Sequence, residues 1–131
     1  MKITVIGCGR WGSCIAWYLD HIGHEVSLYG REGSANMRRF MAERRNDYIE
    51  LPESIRLTTD ISSVFESEAV VISIGSQNLE KLVEQLDGMG VKDKIFILCI
   101  KGIEMGTRRR LSHAAKDGLD ASNRVAVWIG P

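Results

Sequence analysis

The 131-residue sequence predicts an α/β protein: a doubly wound, mostly parallel sheet with helices on both faces. Two observations carry this. Short β-branched runs alternate with longer segments of helical periodicity, which is the sequence pattern of βαβ units. The series also runs without a linker, an internal repeat or a low-complexity tract, so residues 1–131 are expected to form one domain of ordinary size.

Each element follows from its residues. Strands are expected at Lys2 to Ile6, Glu25 to Tyr29, Ile55 to Thr58, Ala69 to Ile74, Lys94 to Ile100 and Arg124 to Ile129. A helix from Trp11 to His21 places Ile15, Ala16 and Leu19 on one face and stops at Gly23. From Ser34 to Arg45 the pattern Ala35, Met37, Phe40, Met41 gives a second, basic helix, followed by an irregular stretch containing Asn46-Asp47-Tyr48 and Pro52. Asp60 and Ser62 are cap residues for a short helix through Phe65 and Glu66. Leu79, Leu82, Val83 and Leu86 form an apolar stripe on a helix over Asn78 to Leu86, ended by Gly88 and Gly90. A last helix spans Thr107 to Lys116.

Composition removes several classes of function. Seventeen basic and seventeen acidic side chains cancel, so no positive field holds nucleic acid or an anionic membrane non-specifically. The longest apolar runs, Ala69 to Ile74 and Ile95 to Ile100, fall far short of the ~20 residues of a membrane-spanning helix. No secretory segment can be drawn after Lys2, and Cys8, Cys14 and Cys99 fit neither a disulfide framework nor a Cys-x-x-Cys metal site. Reduced thiols and a cytoplasmic location are the expectation. His21, His24 and His113 fall at a helix end, a loop and a solvent-facing helix, with no convergent metal spacing. Arg108-Arg109-Arg110 reads as a solvated helix face, and Trp17 and Trp128 as packing residues.

Chemistry enters at Gly7-Cys8-Gly9-Arg10-Trp11-Gly12, a G-x-G-x-x-G directly after the first strand and at the start of the first helix. The first glycine permits the tight turn, the second clears space where backbone must approach a pyrophosphate, and the third lets helix pack on strand. The helix N-terminus then offers N–H groups and partial positive charge to a diphosphate. This combination predicts a Rossmann-type dinucleotide-binding domain. Cys8 is read as a small side chain suited to a crowded turn. After the second strand, where such folds commonly place an acid for the ribose 2′-hydroxyl, the sequence has Tyr29-Gly30-Arg31-Glu32. Arg31 would pair with a 2′-phosphate and favours NADP(H). Glu32, one register away, would favour NAD(H), and both cofactors stay open.

Four further segments complete a resemblance running from Lys2 to Pro131: Leu28-Tyr29-Gly30-Arg31; Arg45-Asn46-Asp47-Tyr48-Ile49 with Leu51-Pro52; Ser73-Ile74-Gly75-Ser76-Gln77; and Ile100-Lys101-Gly102-Ile103-Glu104. With Ile129-Gly130-Pro131, the chain resembles the N-terminal domain of the NAD(P)-dependent glycerol-3-phosphate dehydrogenases. The resemblance implies an oxidoreductase of glycerol-3-phosphate metabolism and phospholipid biosynthesis. It would interconvert sn-glycerol 3-phosphate and dihydroxyacetone phosphate by hydride transfer, with a small phosphate compound as partner and a homodimer as an option for the complete enzyme. It implies that Gly7, Gly9, Arg10, Trp11, Gly12 and Arg31 line the cofactor, that Ser76 borders its nicotinamide side, that Lys101 contacts both substrate and cofactor and serves catalysis, and that Gly130 lies beside the substrate.

Departures are visible. Gly75 stands where the family commonly has Pro, and Ile129 where it has Ser. The family's helical substrate domain has no counterpart in these residues, so the chain alone is expected to bind and hardly to catalyse. The other reading in play is a non-catalytic nucleotide-sensing or partner-binding module. A ketopantoate-reductase-like enzyme sharing the glycine turn is disfavoured by Lys101-Gly102 and the Asn46 to Pro52 stretch.

Overall fold

A computed structural model describes residues 1–100 and 105–128. Six strands form one parallel sheet in the order β3-β2-β1-β4-β5-β6. The strands are β1 (Lys2–Ile6), β2 (Glu25–Tyr29), β3 (Arg56–Thr58), β4 (Ala69–Ile72), β5 (Ile95–Leu98) and β6 (Arg124–Val127). Four helices connect them: α1 (Arg10–His21), α2 (Ala35–Glu43), α3 (Leu79–Gly88) and α4 (Met105–Gly118). Strand order reverses between β1 and β4, the neighbours at the centre of the sheet.

The sheet separates two apolar cores. One joins α1 and α2 to β1, β2 and β4 through Ile15, Leu19, Leu28, Met37 and Phe40. The other joins α3 to β4 and β5 through Leu79, Leu86, Val70 and Phe96. Burying each such side chain contributes roughly 1.5–3 kcal/mol. Because both faces are covered, β4 is buried at every position, Ala69-Val70-Val71-Ile72, which is why its sequence is continuously apolar.

Helix ends follow local chemistry. Ser34 caps α2 by accepting from the Met37 amide at 3.2 Å. Gly23 (φ +101°) and Gly90 (φ +76°) take the left-handed conformation after α1 and α3. In each case the next amide reaches back five residues, His24 to the Leu19 carbonyl and Val91 to the Leu86 carbonyl. Gly88 is the last residue of α3 itself, so Gly90 alone supplies the turn. The short helix after β3 is a 3-10 helix, Ile61–Glu66, with Asp60 accepting from the Ser62 amide. Those hydrogen bonds from Ser62 hold the Asp60 carboxyl below its ordinary range.

Strands β4, β5 and β6 stop two residues before their expected carboxyl ends. Ile74 and Ile100 remain apolar there because they pack into the second core, not because they pair. Trp17 and Trp128 are not packing residues: they are 37% and 40% exposed. Trp17 lies on the outer face of α1, stacked on His21 at 5.0 Å.

Candidate dinucleotide site

The glycine turn sits where β1, β4 and α1 meet, and its three glycines face different surroundings. Gly7 has φ +113°, and a β-carbon there would lie 2.0 Å from the Ser73 carbonyl oxygen at the end of β4. Gly12 is packed on the turn itself, since a β-carbon would lie 1.7 Å from the Gly7 carbonyl oxygen. Gly9 is open, with nothing within 4 Å of where a β-carbon would stand. Two glycines therefore close the backbone and the middle one leaves room beside it.

Gly9 is also the N-cap of α1, and no side chain caps the helix. Its first turn holds no acid but instead begins with the cation Arg10. A cation at a helix N-terminus is unfavourable by the helix dipole. An anion drawn to that end would be held by backbone N–H groups and by Arg10 together. Ser13, the other hydroxyl nearby, is occupied with the Gly9 and Arg10 carbonyls at 2.8 and 3.1 Å.

At the end of β2, Gly30 is buried, and a β-carbon would meet the Cys8 sulfur at 2.6 Å and the Met37 Cβ at 2.9 Å. No acid fits at that position without displacing α2. Arg31 and Glu32, both exposed, are the side chains that follow it. Burial lifts the Tyr29 phenol above its ordinary range, and the Arg31 charge opposes that lift. Cys8 is 5% exposed, with its sulfur 3.5 Å from the Ser34 hydroxyl. Trp11 is 42% exposed on the first turn of α1, and Ser76 opens a 3-10 turn, Ser76–Asn78, beyond β4. The expected residues Gly7, Gly9, Arg10, Trp11 and Gly12 thus share one turn, with Arg31 and Ser76 following the ends of β2 and β4. Lys101 and Gly130 lie outside the described residues.

One contact escaped sequence reasoning. The Arg10 guanidinium lies over the Tyr48 ring, 4.3 Å from its centroid. The partners are 38 positions apart, and no local pattern links them. Arg44 was missed as well: in left-handed conformation (φ 56°), it donates from its guanidinium to the Pro52 and Ile55 carbonyls at 2.7 and 2.5 Å. A groove of about 660 Å³ opens at the far end of α1 beside Trp17, Asp20 and His21. It lies at the end of α1 opposite the glycine turn. Among the described residues no helix is long and apolar enough to cross a membrane, and no cluster of three His, Cys, Asp or Glu side chains is placed to hold a metal.

Fold and turn define a class: nucleotide-binding α/β domains whose ligand lies at the reversal of strand order. Residues 2–131 match the family model described as NAD-dependent glycerol-3-phosphate dehydrogenase N-terminus, and the chain belongs to that family. It is 36% identical over its full length to glycerol-3-phosphate dehydrogenase [NAD(P)+] of Thermoanaerobacter sp. (strain X514), covering 40% of that protein. To the enzyme of the same name from Corynebacterium glutamicum (strain R) it is 33% identical, covering 41%. The chain thus spans about two fifths of the length of these relatives. Among solved structures, glycerol-3-phosphate dehydrogenase of Saccharomyces cerevisiae matches with TM-score 0.78 and 26% identity over 97% of this chain and 41% of that one. The Coxiella burnetii enzyme shares the fold with TM-score 0.83 at 24% identity, over 99% and 41%.

Proposed function

We propose that residues 1–131 are the NAD(P)(H)-binding domain of a glycerol-3-phosphate dehydrogenase, and that the glycine turn holds the dinucleotide's pyrophosphate. The supporting observation is the contrast among the three glycines. A turn needed only for chain reversal would have no reason to keep Gly9, whose φ of −74° suits any residue and whose surroundings are open. Backbone approach by a ligand supplies the reason. The bare, cationic N-terminus of α1 supplies the charge.

When bound, the nicotinamide supplies a hydride acceptor or donor to the carbinol or carbonyl carbon. The chain's own residues orient and hold. Gly9 and the amides of α1 take the phosphates. Arg31 takes the 2′-phosphate of NADP(H), the cofactor favoured here over NAD(H), because Gly30 leaves no space for the acid that selects the 2′-hydroxyl. Ser76 borders the nicotinamide end beyond β4. Lys101, in the segment Ile100-Lys101-Gly102, steadies the substrate oxygen with its positive charge, and Gly130 lies against the substrate; both roles rest on likeness to the family. Catalysis belongs to the complete enzyme, with sn-glycerol 3-phosphate and dihydroxyacetone phosphate as its substrate pair.

The test is titration of the chain with NADPH and NADH while tryptophan emission is followed, since Trp11 stands on the first turn of α1. Quenching with saturation is expected. No binding of either nucleotide at about 1 mM, the upper end of ordinary enzyme affinities, would overturn the proposal.

A further inference from the structure

We infer that Tyr48 is a positioning residue for the dinucleotide, its ring holding the Arg10 guanidinium beside the glycine turn so that it faces the ligand's paired phosphates; this rests on the dinucleotide-binding reading above. Arg10 follows Gly9 directly, so its stem leaves the backbone at the edge of the open space. An exposed arginine is a mobile side chain, and ordering it on a phosphate costs rotamer freedom. The Tyr48 ring, 4.3 Å from the guanidinium, removes part of that freedom before any ligand arrives.

The nature of the partner matters. A carboxylate would fix the guanidinium equally well but would neutralise its charge and occupy its fork of donors. A ring face attracts the cation and leaves its N–H groups unspent. Among the described residues no ion pair involves Arg10. Local electrostatics disfavour the cation where it stands, at the positive end of α1, and a bound pyrophosphate reverses that sign.

The loop carrying Tyr48 is built to present it. Asn46 Oδ1 accepts from the amides of Tyr48 and Ile49, each at 2.8 Å, and the Asn46 amide donates to the Ile49 carbonyl at 3.0 Å. Arg45 and Glu50 form an antiparallel bridge across the loop's base. Asp47 is tied to Arg39 of α2 at 3.0 Å. All of this fixes a ring that remains 65% exposed and so contributes little to the core. The arrangement has a purpose if the ring's task is to hold Arg10.

The experiment measures NADPH and NADH affinity of the 131-residue chain and of Tyr48→Phe, Tyr48→Ala, Arg10→Ala and the Tyr48→Ala/Arg10→Ala double variant, at low and moderate salt. Tyr48→Phe keeps the π face and should bind within about twofold of the parent, whereas Tyr48→Ala should weaken binding about three- to tenfold. The double variant should bind no more weakly than Arg10→Ala, and Tyr48→Ala should share its shallower salt dependence, which a merely structural role for the ring would not produce. Should Tyr48→Ala fail to fold, Tyr48→Leu, with apolar bulk and no π face, carries the same expectation. Additive losses in the double variant would mean that Tyr48 touches the ligand independently, and would overturn the inference. So would parent-like affinity for Tyr48→Ala, or equal losses for Phe and Ala. If the parent chain binds neither NADPH nor NADH, the dinucleotide reading fails and this inference with it; if the parent binds and the Tyr48 pattern is absent, only this inference fails.

Discussion

Alanine substitution at two glycines of the same turn should have opposite consequences. At Gly12 the new β-carbon would stand 1.7 Å from the Gly7 carbonyl oxygen, while real contacts of this kind do not fall below 3.0 Å. Helix and turn must therefore separate by about 1.3 Å, the difference between those two distances. A gap of about 0.5–1 Å already forfeits a quarter to a half of the dispersion energy between packed atoms. The residues exposed to that loss are Ile15, Ala16 and Leu19, the buried face of α1. With overpacking alone costing about 1–3 kcal/mol and part of two large side chains' burial lost, Gly12→Ala should destabilise by roughly 3 kcal/mol or more. For a domain of this size that lowers the melting temperature by about 10 °C or more. At Gly9 the β-carbon meets nothing within 4 Å. The loss of a glycine N-cap and the gain from a stiffer unfolded chain oppose each other, so stability should change by less than about 1 kcal/mol. NADPH and NADH affinity should nevertheless fall at least about tenfold, because the methyl group holds the phosphates away from the amides. Calorimetry and tryptophan quenching on both variants provide the check. A Gly12→Ala protein that melts like the parent would refute the packing argument, and a Gly9→Ala protein with parent affinity would refute the ligand argument.

Arg31→Ala should weaken NADPH about tenfold or more and NADH less than about threefold, given the strength of charge-assisted hydrogen bonds to phosphate; equal losses in titrations of both cofactors would refute the 2′-phosphate role. Burial pushes the Cys99 thiol up to about 11, so its thiolate forms only as pH rises toward that value, whereas Cys14 is exposed. Alkylation at neutral pH followed by peptide mapping should therefore modify Cys14 well before Cys99, and early labelling of Cys99 would contradict its half-buried placement. Gly75 has φ −64° and ψ 144°, values proline adopts, and the group in its way is the mobile end of Gln77. Gly75→Pro should raise stability by about 0.4–1 kcal/mol, read as an increased denaturation midpoint; a decrease would mean that the chain needs its freedom there.

Much of the architecture was legible because period and punctuation agreed. The strands at Lys2–Ile6 and Glu25–Tyr29 match their expected bounds residue for residue, since glycine follows each of them at once. Strand ends near the ligand edge were overextended because Ile74 and Ile100 stay apolar for packing, and hydrophobicity does not distinguish a paired residue from one merely buried. The glycine turn was legible because each glycine has its own steric task. The Arg10–Tyr48 contact was not, because it joins a helix start to a distant loop and depends on chain closure rather than on spacing. Trp17 was misplaced for a related reason: size and apolarity suggested burial, yet its position falls on the outer face of α1, with its ring on His21. Gly30 stood out as the absence of an acid; its cause, contact with Cys8 and Met37, needed three dimensions.

Strand β1 lies at the middle of the sheet, yet the two strands that flank it are made at different times. Residues 25–29 supply one neighbour and residues 69–72 the other. At translation rates of about 5–20 residues per second, several seconds separate the two. Throughout that interval a nascent chain carries Ile3, Val5 and Ile6, side chains destined for burial, along a ladder open on one side. A ribosome stalled between those points would display an adhesive edge, so clean folding of β1 depends on uninterrupted synthesis from residue 29 to residue 72.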